Sequence, residues 1–383
     1  MTEAVIVLAA ALLAAHLLTV GLYLNRLRRR QQLTSTLQGI IGQPRLTLLR
    51  PVCGREAFDR ETLESSFLQD YPDYEIIFCA PSADDPCVPL LKELIAAHPE
   101  RPARLLTGER RVTRNPKLNN LFPGWQAATT DWVCMADSNL SLPATYLATV
   151  VASWDERAGL VSSPPIGERP DGLAGSLECA FLNGNQARLQ LASDSLGNGF
   201  AQGKTLFWNR KMLDDAGGIE ALGRYLAEDV NATKLVRAAG LKVRLTPLPF
   251  AQPIGRRSFR DVWNRQLRWS RVRRDGFPLL FAAEPLNGPL APFLLATIAA
   301  DRLDMAAALP AIALIWYGAE FVLMRRAGWP SAWRDLLALP LRDALLPILW
   351  LATFLKRDIE WRGNAIAPLS ADERMTPALV EHD

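Results

Sequence analysis

Four acids and one short basic-aromatic run are the residues whose type and spacing could do chemistry. Asp84 and Asp85 follow the apolar run Glu75 to Ala80, and Asp137 ends the run Trp132 to Ala136 within Ala136-Asp137-Ser138-Asn139. In an open α/β sheet, ligands bind beyond the carboxyl ends of the strands. An acid there suits a hard Mg²⁺ or Mn²⁺ ion bridging a nucleotide diphosphate, since such an ion takes a carboxylate or two and leaves its other positions to phosphate and water. Asp137 with Asn139 makes an Asp-x-Asn pair of one full charge. The fourth acid, Asp229, falls in the first turn of a helix whose Ala232, Leu235, Val236 and Ala239 recur at helical spacing before Gly240. An acid in that position also stabilises the helix dipole, so its spacing alone does not assign it a role. Arg265, Arg268 and Trp269 stand at i, i+3 and i+4 on one helix face. Two guanidiniums beside an indole form a clamp for a diphosphate leaving group. Lys117, in Asn115-Pro116-Lys117-Leu118-Asn119-Asn120, opens another helix at a place from which an ammonium can reach a phosphate. The neighbouring Arg256, Arg257, Arg260, Arg271, Arg273 and Arg274 read as a juxtamembrane basic cluster facing lipid headgroups.

Composition removes several other chemistries. Three histidines, His16 in an apolar run, His98 beside Pro99 and His382 near the end, leave no material for a Ser-His-Asp engine or a His-ligated zinc. The five cysteines show no Cys-x-x-Cys spacing and read as reduced core thiols of a cytosolic unit. A net charge of +3, from 43 basic and 40 acidic side chains, does not call for a nucleic-acid partner.

The elements that must hold these residues divide the 383-residue chain into four parts. Residues 1–30 are an N-terminal transmembrane anchor with a basic flank: Ala4 to Leu24 is apolar but for His16 and Thr19, long enough to cross about 30 Å of hydrocarbon. Arg26, Arg28, Arg29 and Arg30 follow it and place the next domain in the cytosol. Residues 44–275 alternate short apolar strands (Arg45 to Arg50, Glu75 to Ala80, Arg104 to Leu106, Trp132 to Ala136) with helices near 61–68, 88–97 and 118–128, which predicts an open, doubly wound α/β sheet. Residues 277–363 are membrane-embedded: an apolar hairpin around Asp301-Arg302-Leu303-Asp304, then Leu336 to Leu355, broken by Arg342 and Asp343 and read as interfacial or re-entrant. Residues 364–383 form a flexible tail.

The order of these features resembles the ceramide glucosyltransferase family, membrane-bound relatives of the family-two inverting glycosyltransferases with the GT-A fold. The resemblance runs through Leu49-Arg50-Pro51, Asp70-Tyr71-Pro72-Asp73-Tyr74-Glu75, Asp84-Asp85-Pro86, Asn115 to Leu121, Asp137-Ser138, Ala216-Gly217-Gly218 and Ala227-Glu228-Asp229. Arg265-Gln266-Leu267-Arg268-Trp269 matches the family's (Q/R)xxRW signature, and Ile359 to Gly363 looks like its closing segment. The resemblance implies a UDP-sugar donor, glucose first, and a membrane-lipid acceptor, ceramide first, with Mg²⁺ or Mn²⁺ as cofactor, acting at the cytosolic face of a bacterial inner membrane. It implies that Pro51, Asp85, Lys117, Asp137, Arg265, Arg268 and Trp269 hold the nucleotide sugar, that Asp137 and Asn139 serve the metal, and that Asp229 is the base. Gln186 replaces the histidine of the vertebrate Ser-His-Pro-Arg stretch, and Arg265 stands where most family-two synthases have Gln. Donor and acceptor therefore stay open: diacylglycerol or a hopanoid, UDP-glucuronate or another UDP-sugar, or a non-enzymatic binder of nucleotide sugar or anionic lipid.

Overall fold

The computed structural model describes residues 2–29, 40–224, 227–303, 307–355, 359–361 and 364–366. Its centre is a seven-stranded sheet of β1 (Leu46–Pro51), β2 (Tyr74–Ala80), β3 (Ala103–Thr107), β4 (Trp132–Ala136), β5 (Ala158–Ser162), β7 (Thr205–Asn209) and β8 (Lys242–Leu245), in the order β3-β2-β1-β4-β7-β5-β8. The first four strands run parallel, as uninterrupted apolar strands covered on both faces should. β7 runs antiparallel to both β4 and β5. That inserted strand departs from the purely doubly wound sheet expected, and it shapes the site. β6 (Pro165–Asp171) and β9 (Phe250–Arg256) form a separate parallel pair. The architecture is the expected α/β sheet, with apolar helices before and after it.

Successive residues of a strand face opposite layers, so Leu48, Ile76 and Phe78 pack into one core with Leu91, Tyr146 and Phe207. Leu49 and Ile77 turn the other way, into a core with Leu121, Trp208 and Phe181. This second core does not stop at the edge of the α/β sheet unit. It continues through Val20 and Tyr23 of the N-terminal helix (Thr2–Arg28) to Leu323 and Leu339 of the C-terminal helices.

Helices Glu3–Arg28 and Ala308–Ala327 are long and apolar enough to cross a membrane. The expected hairpin forms from Leu290–Leu303 and Ala308–Ala327, with part of its turn outside the described residues. The third segment, Trp333–Ala352, is one helix that carries Pro340 and Pro347 and is not interrupted at Arg342 and Asp343. Both of those side chains are buried against the protein: Arg342 lies 3.1 Å from Glu320 and 2.7 Å from Asp343. Beyond the short strands Ile359–Trp361 and Asn364–Ile366, the C-terminal tail lies outside the described residues.

Arg188 completes this buried charge cluster. It stands 3.6 Å from Glu320 and donates to the Thr19 hydroxyl and, at 3.2 Å, to His16 Nδ1. The other ring nitrogen of His16 lies 3.3 Å from the Trp316 carbonyl, and the two rings stack at 3.7 Å. Gly184 leaves room for the arrangement, because a Cβ there would meet Arg342 Nη1 at 2.2 Å.

Candidate active site

A cavity of about 900 Å³ opens beside the carboxyl end of β4. Lys117, Asp137, Asn139, Asp229, Arg265 and Arg268 all line it, and so does Trp269. These residues come from separate elements. Lys117 sits in the first turn of the Pro116–Ala127 helix, whose N-cap Asn115 accepts from the backbone N–H groups of Lys117 and Leu118. Arg265, Arg268 and Trp269 share one face of the Phe259–Gly276 helix, started by a Ser258–Asp261 capping box. Asp229 lies in the first turn of the Glu228–Ala238 helix.

The antiparallel strand brings in a residue that the motifs do not mark. Ala136 pairs with Thr205, which places Asp137 opposite Lys204, and the Asp137 N–H donates to the Lys204 carbonyl at 3.1 Å. Lys204 Nζ lies 2.9 Å from Asp137 Oδ2 and 2.8 Å from Asn139 Oδ1. Lys117 Nζ lies 2.6 Å from Asp137 Oδ1, 2.7 Å from Glu228 Oε1 and 2.6 Å from the Gly203 carbonyl. Glu228 also accepts from the Asn115 side chain at 2.9 Å. Gly203 permits this close approach, since a Cβ there would meet Glu228 Oε1 at 2.4 Å.

The charges shift one another. Burial pushes the Asp137 carboxyl up, but Lys117 and Lys204 outweigh it and hold the group far below the usual carboxylate range. For Lys117, burial works against the charge, while Asp137 and Glu228 more than restore it and raise the ammonium above its ordinary value. Burial lowers Lys204, with Asp137 opposing and Arg265 reinforcing the shift. Asp229 goes the other way. Burial, then the neighbouring Glu228 charge, lift it to about 7, although the backbone N–H groups of Gly203 and Val230 bond its oxygens at 3.1 and 2.9 Å. A carboxyl balanced near neutrality is suited to taking a proton.

Other expected residues fall elsewhere. Asp85 is buried, and its two oxygens accept the N–H groups of Gly54 and Cys87 at 2.8 Å each. It fixes the loop after β1 and does not line the cavity; neither does Pro51, buried at the end of β1. Arg265 donates to the buried Glu178 at 2.8 Å, which fixes its guanidinium within 6.0 Å of the Trp269 ring. Trp269 packs on Cys179, Leu182 and Ile254. The flanking arginines are not a uniform headgroup-facing cluster. Arg271 is buried, Arg273 pairs with Glu284, Arg274 with Asp275 and Arg257 with Glu56, while Arg256 and Arg260 stay exposed.

The cation site expected at Asp137 and Asn139 is built differently. Both Asp137 oxygens and the Asn139 carbonyl oxygen already face ammonium groups, and no cluster of three or more acids, histidines or cysteines suited to a metal forms among the described residues. A divalent ion bound there at about 2.1 Å would take the same oxygens that hold Lys204. The donor set present does not fit that ion without displacing a lysine.

Away from the charges, the cavity continues between Phe277, Leu280, Phe281, Leu346, Pro347 and Trp350. Phe281 and Trp350 stack at 5.9 Å, and the indole N–H donates to the Phe281 carbonyl at 2.9 Å. A π-helix, Phe181–Ala187, carries Asn185 and Gln186 to the same wall. Such bulges recur at functional sites. Gln186 Nε2 and Gln202 Oε1 are buried there with no hydrogen-bond partner among the described residues.

Comparison with known proteins places this geometry. The chain is 25% identical over 359 residues to ceramide glucosyltransferase 3 of Caenorhabditis elegans, covering 91% of this chain and 77% of that protein. It is 29% identical over 281 residues to ceramide glucosyltransferase 1 of the same organism, and 27% identical over 287 residues to the ceramide glucosyltransferase of Komagataella phaffii. The match covers 73% and 60% of this chain, and the chain spans 59% and 56% of those two relatives. Among solved structures, it is similar to a mannosyltransferase from Pyrobaculum calidifontis in complex with GDP-Man and Mn²⁺, with a TM-score of 0.49 and 23% identity over 89% of this chain and 99% of that one. A glucosyl-3-phosphoglycerate synthase from Mycobacterium tuberculosis, in complex with Mn²⁺, UDP and phosphoglyceric acid, gives a TM-score of 0.38 at 16% identity over 64% of this chain and 81% of that one. The model of glycosyl transferase family 21 matches residues 5–371, nearly the whole sequence, and the chain belongs to that family.

Proposed function

We propose that the chain is an inverting glycosyltransferase that moves a sugar, glucose first, from a UDP-sugar to a hydroxyl of a membrane lipid, ceramide first, giving a β-glycolipid. The observation that carries this reading is that one cavity has a charged end and an apolar end. A nucleotide diphosphate suits the lysines and arginines, and an acyl chain suits Phe281, Leu346 and Trp350. Membership of family 21 and the likeness to ceramide glucosyltransferases support the same pairing of donor and acceptor.

In the reaction, the acceptor oxygen attacks the anomeric carbon as the bond from that carbon to the diphosphate oxygen breaks. Asp229 takes the hydroxyl proton, and its position near pH 7 makes the base form available under neutral conditions. The electron pair leaves on the diphosphate, where Arg268 and the lysines offset the growing charge. Arg265, bound to Glu178, holds the flat face of Trp269 beside the sugar. Gln186 and Gln202, each with an unused polar atom on the wall, suit sugar hydroxyls. A Mg²⁺ or Mn²⁺ ion at Asp137 and Asn139, expected from the family resemblance, would supply the same charge offset to the diphosphate, but the lysines occupy its oxygens.

We read residues 44–275 as the catalytic unit on the cytosolic side, 1–30 as its anchor and 277–363 as its membrane-embedded part, in a bacterial inner membrane. The test is a matrix of labelled UDP-sugars against ceramide, diacylglycerol and a hopanoid with the purified protein, read by mass spectrometry. UDP-glucose with ceramide should give the β-glucoside. An α-product, or no transfer from any UDP-sugar to any lipid, overturns the reading.

A further inference from the structure

The residues around Asp137 put a fixed positive charge where the sequence reading puts a metal. Lys204 Nζ sits between Asp137 Oδ2 at 2.9 Å and Asn139 Oδ1 at 2.8 Å, the two oxygens nominated as cation ligands. It is held there by backbone as well as charge, because the β4–β7 pairing sets Lys204 across from Asp137. The remaining Asp137 oxygen is 2.6 Å from Lys117. Lys204 is only 13% exposed, yet it lines the cavity together with Arg265 and Arg268. An ammonium within 3 Å of both oxygens repels a doubly charged ion from the same position, and a hard cation would have to strip two lysine contacts before binding.

We propose that Lys204 does at this site what a divalent cation does in a metal-dependent transferase. Its ammonium bridges Asp137 to the diphosphate of the donor and, with Arg268, offsets the charge that the leaving diphosphate gains. Lys117, tied to Glu228 and the Gly203 carbonyl, keeps Asp137 in place from the other side. Lys204 keeps its proton throughout: the acceptor's proton goes to Asp229 and the electron pair to the diphosphate oxygen. The assignment rests on the reading of the cavity as a nucleotide-diphosphate site. Its consequence is that binding and transfer do not require a divalent cation.

The experiment measures UDP binding by calorimetry to the full-length protein in detergent, in excess chelator and in Mg²⁺ or Mn²⁺, for the natural chain, Lys204→Met and Lys204→Arg. The natural chain should bind UDP within about threefold in the two conditions. Lys204→Met, similar in length and uncharged, should weaken binding in chelator by about ten- to a hundredfold, the worth of one charged hydrogen bond. Mn²⁺ should restore part of that loss, because Asp137 and Asn139 are then open to an ion. Lys204→Arg should retain binding in chelator, which keeps the idea testable if the Met variant fails to fold. Natural-chain binding that vanishes in chelator and returns with metal overturns the assignment, as does Lys204→Met binding UDP normally in chelator. Absence of UDP binding in every condition overturns the nucleotide reading itself, and the lysine role with it.

Discussion

Two buried charge clusters lie on either side of the π-helix, and they are built to different ends. Arg188, Glu320, Arg342 and Asp343 pair two cations with two acids, with His16 and Thr19 taking up Arg188's remaining donors. They sit between helices from both ends of the chain. The other cluster sets Lys117 and Lys204 against Asp137, Glu228 and Asp229, and it faces the large cavity. Here one acid exceeds the lysines, and Asp229, which among the described residues accepts the backbone N–H groups of Gly203 and Val230, has its proton affinity raised by burial and then by the Glu228 charge. The first cluster balances its charges and holds elements in register, with Asp343 alone of its four ionic members reaching the cavity wall; the second, with one acid in excess, holds a group ready to exchange a proton.

The strongest way to break the comparison is Asp229→Asn. The amide keeps the shape but cannot take a proton, so turnover should fall by about 10²- to 10⁴-fold, or about 3–5 kcal/mol. UDP affinity should stay near normal, and the melting temperature should fall only slightly, because the amide can accept one of the two backbone N–H groups and not both. Near-natural turnover would remove the base from Asp229 and make Glu228 the next residue to test.

Arg342→Leu should do the opposite. It leaves Glu320 and Asp343 buried without their shared partner, which costs about 3–5 kcal/mol of stability. The measurement is thermal unfolding in detergent; a variant that melts normally but is catalytically dead would place this cluster in the chemistry instead.

The pH profile gives the next largest effect. The base form of Asp229 exists above its raised value of about 7, so kcat/KM should climb about tenfold per pH unit below that point and level off above it. Linkage has the reverse sign for stability. The folded state binds this proton more tightly than the unfolded chain, so the contribution is full below pH 3.8 and is lost as pH rises towards 7. Glu228→Gln should move the kinetic limb to lower pH, since the Glu228 charge is one of the causes of the raised value. A limb that stays in place would assign it to another group.

Arg268→Lys keeps the charge but loses the planar two-point contact, and should lower kcat/KM by about tenfold. Arg260→Lys, on an exposed stretch of the same helix, should have no measurable effect. Equal losses at both positions would mean that a general basic surface had been mistaken for a site.

Much of this was legible in the sequence because it is local. The helix Val88–Ala97 and the strands β1, β2 and β4 follow from apolar runs and lie within about a residue of their expected limits. The gathering of Lys117, Asp137, Asp229, Arg265, Arg268 and Trp269 around one cavity follows from motif order. Lys204 was not legible: its role depends on an antiparallel strand that returns beside β4 from far downstream to pair Thr205 with Ala136, and no local pattern marks that pairing. The surroundings of Asp85 were not legible either, since the two backbone N–H groups that its oxygens accept come from Gly54 in another loop and from Cys87. Arg342 and Asp343 read as a break in an apolar segment because Glu320, the other partner of Arg342, lies on another helix.

One small feature of the N-terminal helix bears on how the molecule would search for lipid. Arg26, at the foot of the N-terminal helix, bonds Asp194 at 2.7 Å and the carbonyls of Thr246 and Pro247 at 3.0 and 3.1 Å. The N-terminal helix is therefore bolted to the α/β unit rather than trailing from it on a leash. With that helix in a bilayer, the cavity keeps one height and one heading relative to the membrane plane. Encounter with the acceptor becomes a search in two dimensions, governed by lipid per unit area and by rotation about the bilayer normal, whereas the donor arrives from three. Loosening the bolt with Arg26→Ala should therefore raise the apparent KM for lipid while leaving that for the UDP-sugar alone.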